Sequence, residues 1–264
     1  MVNRRLIVPL KTPAMNIKKK LSTALLLLSA VAAFAQTPPE TPEFVKDVKP
    51  FNTVIASPRI NVILQQGETE SVRIVYSDVS AEKINVQVKN HILRIYLSDA
   101  KVTERMVPNV NGKVSMYRYA NVTAYVTYKD IEHLEIRGNQ ELTCKDPLKA
   151  QRFILKAYGE NSITLASVKA EFLKANLYGE NKLYINGGMA EYQKYKLIGE
   201  NRIDTRELKS YQAIATIFGE SKVKLSTQDQ LNINAFGEAE ISYNGDADVN
   251  KRLVVGRTRI RKLN

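Results

Sequence analysis

The sequence is poor in the residues that most metal and redox sites require. Its 264 residues include one cysteine, two histidines and no tryptophan. A single cysteine excludes an intramolecular disulfide and a cysteine-based zinc or iron–sulfur site, and two histidines exclude a multi-histidine metal centre. Glycine and proline, at 12 and 9 residues, are too few for a low-complexity chain. We therefore expect an ordinary globular protein with no cofactor and no metal.

Positive charge is in excess, with a formal net charge of +12, but it is not concentrated in one run. Six of the 39 basic residues lie in residues 1–35, which contain no acidic residue, so the rest of the chain carries 33 basic and 27 acidic residues. Nucleic-acid binding requires a localised basic face, and no polybasic run marks one. We therefore expect no nucleic acid as a partner.

The first 35 residues have the features of a secretory signal peptide. Three lysines, Lys18 to Lys20, precede an apolar run from Leu21 to Phe34, and an Ala-Phe-Ala tripeptide ends the segment. This order of basic region, apolar region and cleavage site is typical of export, and the run is short for a membrane span. We expect cleavage before Gln36. A retained N-terminal membrane anchor is the alternative.

Met15 is the natural start for such a signal, so we interpret residues 1–14 as an over-extended start. Residues 36–48 begin with a proline-rich stretch, which favours an extended linker. No second long apolar stretch follows residue 36, so we expect no membrane span after cleavage. The predicted location is the periplasm, the cell surface or the extracellular space.

A short motif recurs through the C-terminal half at a nearly constant spacing. Tyr158-Gly159-Glu160-Asn161 is repeated at 178–181 and 198–201 and, more weakly, at 218–221 and 236–239. The glycines of the full series lie 18 to 21 residues apart, at positions 138, 159, 179, 199, 219, 237 and 256. A period near twenty leaves room for two or three short strands with tight corners, and for no helix.

Between the glycines, apolar and polar residues alternate with the period of two that half-buried strands show. Leu173, Ala175 and Leu177, for example, alternate with Lys174 and Asn176. One such coil cannot bury its apolar face alone, but stacked coils can. We therefore predict an all-β fold, a single-stranded right-handed β-helix or solenoid with coils of about twenty residues, over residues 131–264.

Residues 49–130 are also strand-rich but show no twenty-residue repeat. Strand patterns cover 53–55, 59–64, 71–76, 84–88, 92–97 and 121–128, and residues 99–115 indicate a loop or an irregular hairpin. We expect this N-terminal β section and the solenoid to form one continuous domain over residues 49–264. Two fused β subdomains are the alternative.

Stacked coils place equivalent residues in columns along the coil axis. Beside each bend we expect an inward column of asparagines, Asn161, Asn181 and Asn201, whose side-chain amides hydrogen-bond to one another. The expected inward apolar column contains Ala157, Leu177, Leu197, Ile217, Ala235 and Val254.

Glutamates one residue after each glycine form an outward column in this arrangement. Carboxylates about 5 Å apart match the spacing of retaining glycosidases, and they also suit a cation such as calcium, which prefers several oxygen ligands. An active site is usually unique, however, whereas this residue recurs in five coils. We therefore predict a solvated turn residue and no catalytic residues; the glutamates are Glu160, Glu180, Glu200, Glu220 and Glu238.

The residues just before the glycines form a second column, the aromatic stripe. Strict alternation points them outward, where they would offer an interaction surface for a glycan or a protein. We favour the interpretation in which the glycine bend turns them inward or N-terminal strands cover them, and the column remains the best candidate for an interaction surface. The stripe consists of Tyr158, Tyr178, Ile198, Phe218 and Phe236.

The order of these features resembles the auto-transporter adhesin, head GIN domain family, exported proteins common in Bacteroidota. The resemblance is carried by Pro50-Phe51-Asn52-Thr53-Val54-Ile55, by residues 60–67 and 72–74, and by the glycine-centred repeat, and it covers roughly residues 50 to 256. It implies a β-solenoid head and brings no catalytic residues. The chain departs from the family pattern by using Gly-Glu-Asn at its corners.

Three functions remain open from the sequence. The first is a non-enzymatic exported solenoid that serves adhesion, surface binding or envelope scaffolding, with a glycan or a protein at the cell surface as partner. The second is a carbohydrate-active enzyme of the β-helix type, although no cluster of acidic and basic residues marks a cleft. The third is an envelope protein that assembles by end-to-end stacking.

Overall fold

The computed structural model describes residues 41–263, and strands dominate it. The predicted signal peptide and the start of the predicted linker lie outside the described residues. Within residues 41–263, the one helical element is a 3-10 turn at Ala81–Lys83, and no helix has the length and apolarity to cross a membrane. The strands are β1 Glu43–Asp47, β2 Thr53–Ala56, β3 Ile60–Gln66, β4 Ser71–Ser77, β5 Ile84–Lys89, β6 Ile92–Leu97, β7 Met106–Asn109, β8 Gly112–Ser115, β9 Asn121–Tyr128, β10 His133–Gly138, β11 Glu141–Ile185, β12 Gly188–Thr205, β13 Gln212–Ser226, β14 Gln230–Asn244 and β15 Asp248–Lys262.

The C-terminal half is a β-solenoid, as the repeat predicts. Strands β11 to β15 pair in parallel with their neighbours along the chain, and each pairing matches equivalent repeat positions. Gly179 pairs with Gly199, and Gly219 pairs with Gly237. The in-register stacking arises because every coil carries the same alternation, so a shift by one residue would expose its apolar face.

The solenoid interior is the predicted apolar column together with the other inward positions of each coil. Five of the six predicted members of the column are fully buried, and Val254 is half-buried. Val254 lies in β15, which, of the strands in residues 41–263, pairs with β14 alone and so forms one end of the stack. Its partial exposure follows from the lack of a further coil beside it.

The N-terminal strands continue the same stack, in an order that differs from their order in the chain. β2 pairs in parallel with β10 on one side and with β6 on the other. β3 also has a parallel partner on each side, β11 on one side and β9 on the other. The coil β2–β3 therefore lies between a layer made of β6 and β9 and the coil that starts at β10.

Antiparallel strands flank this end of the stack. β5 pairs with β6, β4 pairs with β9, and β1 pairs with β4. Strand β1 lies inside the segment that the sequence assigned to a linker, and it is extended because it is an edge strand of the sheet. β7 and β8 form a separate hairpin in the region predicted as a loop or an irregular hairpin.

Candidate functional site

The aromatic stripe lies on the outer surface of the solenoid, at the residue before each bend glycine. Four of its members are half-buried, and Phe218 is 39% exposed. The Tyr158 and Tyr178 rings stack with centroids 5.0 Å apart and planes 4° from parallel. Phe218 and Phe236 stack in the same way at 4.8 Å. The stripe is therefore an outward column of two stacked ring pairs with Ile198 between them.

The bend glycines hold these coils close together. Gly179 has a φ of +105°, and a Cβ at this position would lie 2.4 Å from the carbonyl oxygen of Gly159 in the adjacent coil. An alanine would therefore meet two obstacles, a backbone conformation that L-residues avoid and a contact with main chain that cannot rotate away. The glycine column thus permits the close approach of the coils at which the rings stack.

The predicted asparagine column is confirmed beneath the bends. Asn161 donates a hydrogen bond from Nδ2 to Oδ1 of Asn181 at 2.9 Å, and Asn181 donates to Oδ1 of Asn201 at 3.2 Å. All three side chains are buried. The column ends at Ser221. Because the serine side chain is shorter, Nδ2 of Asn201 and Oγ of Ser221 have no hydrogen-bond partner in the described part of the chain.

The glutamate column is exposed and borders a charged groove of about 800 Å³ that runs across the coils. Basic side chains two residues further along each coil, Lys182, Arg202 and Lys222, also line the groove. Within residues 41–263, Glu238 is the one member of the column with a salt bridge, to Arg257 at 3.4 Å. No group of three or more acidic, histidine or cysteine residues in that range is arranged to hold a metal ion. The groove is therefore a solvated surface of mixed charge.

An arginine covers the N-terminal end of the stripe. The Arg137 guanidinium lies 4.7 Å from the centroid of the Tyr158 ring and donates to Glu135 at 2.8 Å. Burial raises the pKa of Tyr158, and the nearby Glu135 carboxylate raises it further, so the phenol is neutral at physiological pH.

Burial lowers the pKa of His133, and the Lys156 ammonium lowers it further, so this imidazole is neutral as well.

The structure also gathers residues that the sequence analysis did not single out. Lys174 and Lys194 are register partners in adjacent coils, and Asn176 pairs in the same way with Lys196. All four lie on the face that carries the stripe. Their twenty-residue separation was visible in the sequence, but their shared face follows only from the register.

Comparison with known proteins gives the family. The model of the family described as "Putative auto-transporter adhesin, head GIN domain" matches residues 50–247. The chain belongs to this family. No curated protein matches it significantly. The GIN-domain assignment confirms the resemblance that the N-terminal motifs and the repeat indicated.

Solved structures share the fold of this GIN-domain chain. A putative adhesin from Bacteroides fragilis NCTC 9343 is 16% identical, with a TM-score of 0.68, and one from Parabacteroides distasonis ATCC 8503 is 15% identical, with a TM-score of 0.62. A putative lipid binding protein from Parabacteroides distasonis ATCC 8503 is 14% identical, with a TM-score of 0.59. Each match covers 84% of this chain and 96% of the other. At these identities the likeness shows the fold alone.

Proposed function

We propose that this protein is exported and binds a glycan or a protein at the bacterial cell surface, without catalysing a reaction on it. The observation that carries the proposal is the outward aromatic stripe, which extends over five coils of the solenoid. Contiguous apolar surface of this kind marks interaction sites in soluble proteins. The adhesin description of the family supports the same role.

The distribution of the charged side chains supports a non-enzymatic role. The exposed glutamates recur in coil after coil, whereas general acid and base catalysis depends on a small set of groups placed around one reacting bond. Incubation with a panel of neutral and acidic polysaccharides tests this part of the proposal. Release of reducing ends, at a rate that depends on the protein concentration, would overturn it.

Binding is tested with the purified full chain on a glycan array and on whole bacterial cells. Tyr178→Ala and Phe218→Ala each remove one partner of a stacked ring pair, and we expect each to weaken the detected binding at least about fivefold, about 1 kcal/mol for an exposed aromatic contact. Tyr119→Ala is the matched control, because Tyr119 is 71% exposed, stacks with Arg118 and is not a member of the stripe. Full binding by both stripe variants would refute the role of the stripe.

End-to-end assembly is a second candidate, favoured by the free edge of β15. Leu253 and Val255 on this strand are 51% and 55% exposed. Three arginines on the same strand, Arg257, Arg259 and Arg261, oppose the pairing of identical edges by charge repulsion. Polymers that lengthen with protein concentration in light scattering would support assembly, and a constant particle size would exclude it.

A further inference from the structure

Four lysines lie beside the aromatic stripe, on the outward face of the strand segments that precede the bends. Lys174 and Lys194 occupy equivalent positions in adjacent coils, whose backbones are about 4.8 Å apart. Lys196 lies two residues further along, and Lys156 occupies the equivalent position two coils earlier. These four residues, the lysine cluster, form a positive surface that extends across three coils.

The charge of the lysine cluster is weakly compensated. Among residues 41–263, Lys174, Lys194 and Lys196 form no salt bridge, and Nζ of Lys156 lies 4.0 Å from the Glu135 carboxylate. That carboxylate already accepts a hydrogen bond from Arg137. Like charges directly opposite one another destabilise a sheet, so fold stability does not account for the pairing of Lys174 with Lys194.

Asn176 lies in the middle of the lysine cluster and has an unused hydrogen-bonding group. It pairs with Lys196, and the register that sets Asn161 against Asn181 places Lys156 on its other side. Asn176 is 7% exposed, and its Oδ1 has no hydrogen-bond partner among residues 41–263. Buried acceptors are normally satisfied, because an unsatisfied one destabilises the fold. A ligand hydroxyl would supply the missing donor once the flexible lysine side chains turn towards a bound anion.

The adjacent rings add positive electrostatic potential to the same surface. Tyr158 and Tyr178 stack face to face, so their edges, and not their faces, are available to a ligand. The edge of an aromatic ring is its positive part. Lys196 also lies 6.0 Å from the centroid of Tyr178, which joins the stripe to the lysine cluster.

We infer that the lysine cluster, with Asn176 and the edge of Tyr178, binds an acidic polysaccharide. Carboxylate or sulfate groups contact the lysines, and a sugar hydroxyl donates to Asn176. This inference rests on the proposed function and specifies the chemical class of the partner. Single-stranded nucleic acid binds by stacking its bases on ring faces, which are covered here. An acidic peptide brings carboxylates but few hydroxyl groups.

The test measures binding of the full chain to polygalacturonate and heparin as acidic probes. Dextran serves as the neutral probe, and polyglutamate and single-stranded oligothymidylate as acidic probes of other classes. The variant Lys174→Gln/Lys194→Gln/Lys196→Gln removes three charges from the cluster. Lys182→Gln/Arg202→Gln/Lys222→Gln is the matched control, because it removes three charges from neighbouring coils on the groove side of the bend. Asn176→Ala removes the side-chain amide, and with it the Oδ1 acceptor, while all four lysines stay in place.

We expect polygalacturonate, heparin or both to bind and dextran not to bind. The cluster variant should weaken this binding at least about tenfold, and the control variant less than about threefold. Asn176→Ala should weaken polysaccharide binding without lowering thermal stability, because it removes an unsatisfied buried group.

Three results would overturn the inference: equal binding of dextran, tighter binding of polyglutamate or oligothymidylate, or an equal effect of the two triple variants. Binding of neutral glycans alone that is lost in Tyr178→Ala would leave the proposed function standing and refute this inference. Acidic polysaccharide binding that survives in Tyr178→Ala and Phe218→Ala but is lost in the cluster variant would refute the stripe and retain the lysine cluster.

Discussion

Replacing a bend glycine with alanine lowers the stability of the fold through backbone strain and through steric overlap, and a control variant separates the two effects. In Gly179→Ala the new Cβ lies 2.4 Å from the Gly159 oxygen, so the coils must part by about 1 Å to restore ordinary contact. Gly112→Ala is the matched control: Gly112 also has a positive φ, +123°, but nothing lies within 4 Å of its Cβ position. The reduced entropy of the unfolded chain affects both variants alike.

The magnitudes follow from these two terms. A non-glycine residue held at a positive φ lowers the free energy of unfolding by about 1–3 kcal/mol. Overpacking of a close-packed region lowers it by about 1–3 kcal/mol more. We expect Gly179→Ala to lower the free energy of unfolding by about 2–6 kcal/mol and Gly112→Ala by about 1–3 kcal/mol. Urea unfolding monitored by far-ultraviolet circular dichroism measures both. Equal losses would refute the steric role of the glycine column.

Two further predictions concern buried polar groups. Asn181→Ala removes the middle of the asparagine column and leaves Oδ1 of Asn201 without its donor. We expect the free energy of unfolding in urea to fall by about 1–3 kcal/mol. A decrease no larger than that of the exposed control Asn186→Ala would contradict the role of the column. Burial raises the pKa of Tyr195 above its ordinary value of 10.0. The unfolded chain therefore ionises first, and stability that is fully present below pH 10.0 is lost as the pH rises further. Tyr195→Phe should show a shallower loss in that range in thermal melts, and a slope unchanged from the wild type would contradict the assignment.

Local alternation was sufficient to predict the solenoid but not its complete path. The alternation seen at Leu173, Ala175 and Leu177 recurs with each glycine motif, even though Gln193 and Tyr195 occupy two of the equivalent positions, and that pattern specifies parallel stacking of the later coils. Strands β2 and β3 show equally clear alternation. In the chain, β6 and β9 come after them and before β10. In the sheet, however, β6 and β9 pair with them on the side opposite β10 and β11, and nothing in their sequence indicates this arrangement. Pairing between strands so distant in sequence has no local signal.

The same distinction applies to the candidate site. The stripe could be predicted because its members share a position relative to a visible motif. The lysine cluster was missed because its columns do not repeat one residue type: Asn176 stands between Lys156 and Lys196, although the same spacing relates all three. The missing partner of Asn176 depends on how the surrounding side chains pack, and no sequence pattern reports that.

The path of the first coil has a consequence for the order in which the chain can fold. Along the chain β2 and β3 precede both of their neighbouring layers, which are made of residues that follow them in the sequence. The first coil therefore remains unpaired until β6 and β9 arrive, and it is enclosed only after β10 has followed. Assembly of the sheet therefore cannot start from β2 and β3, and their coil is complete only when the chain as far as β10 is available to fold.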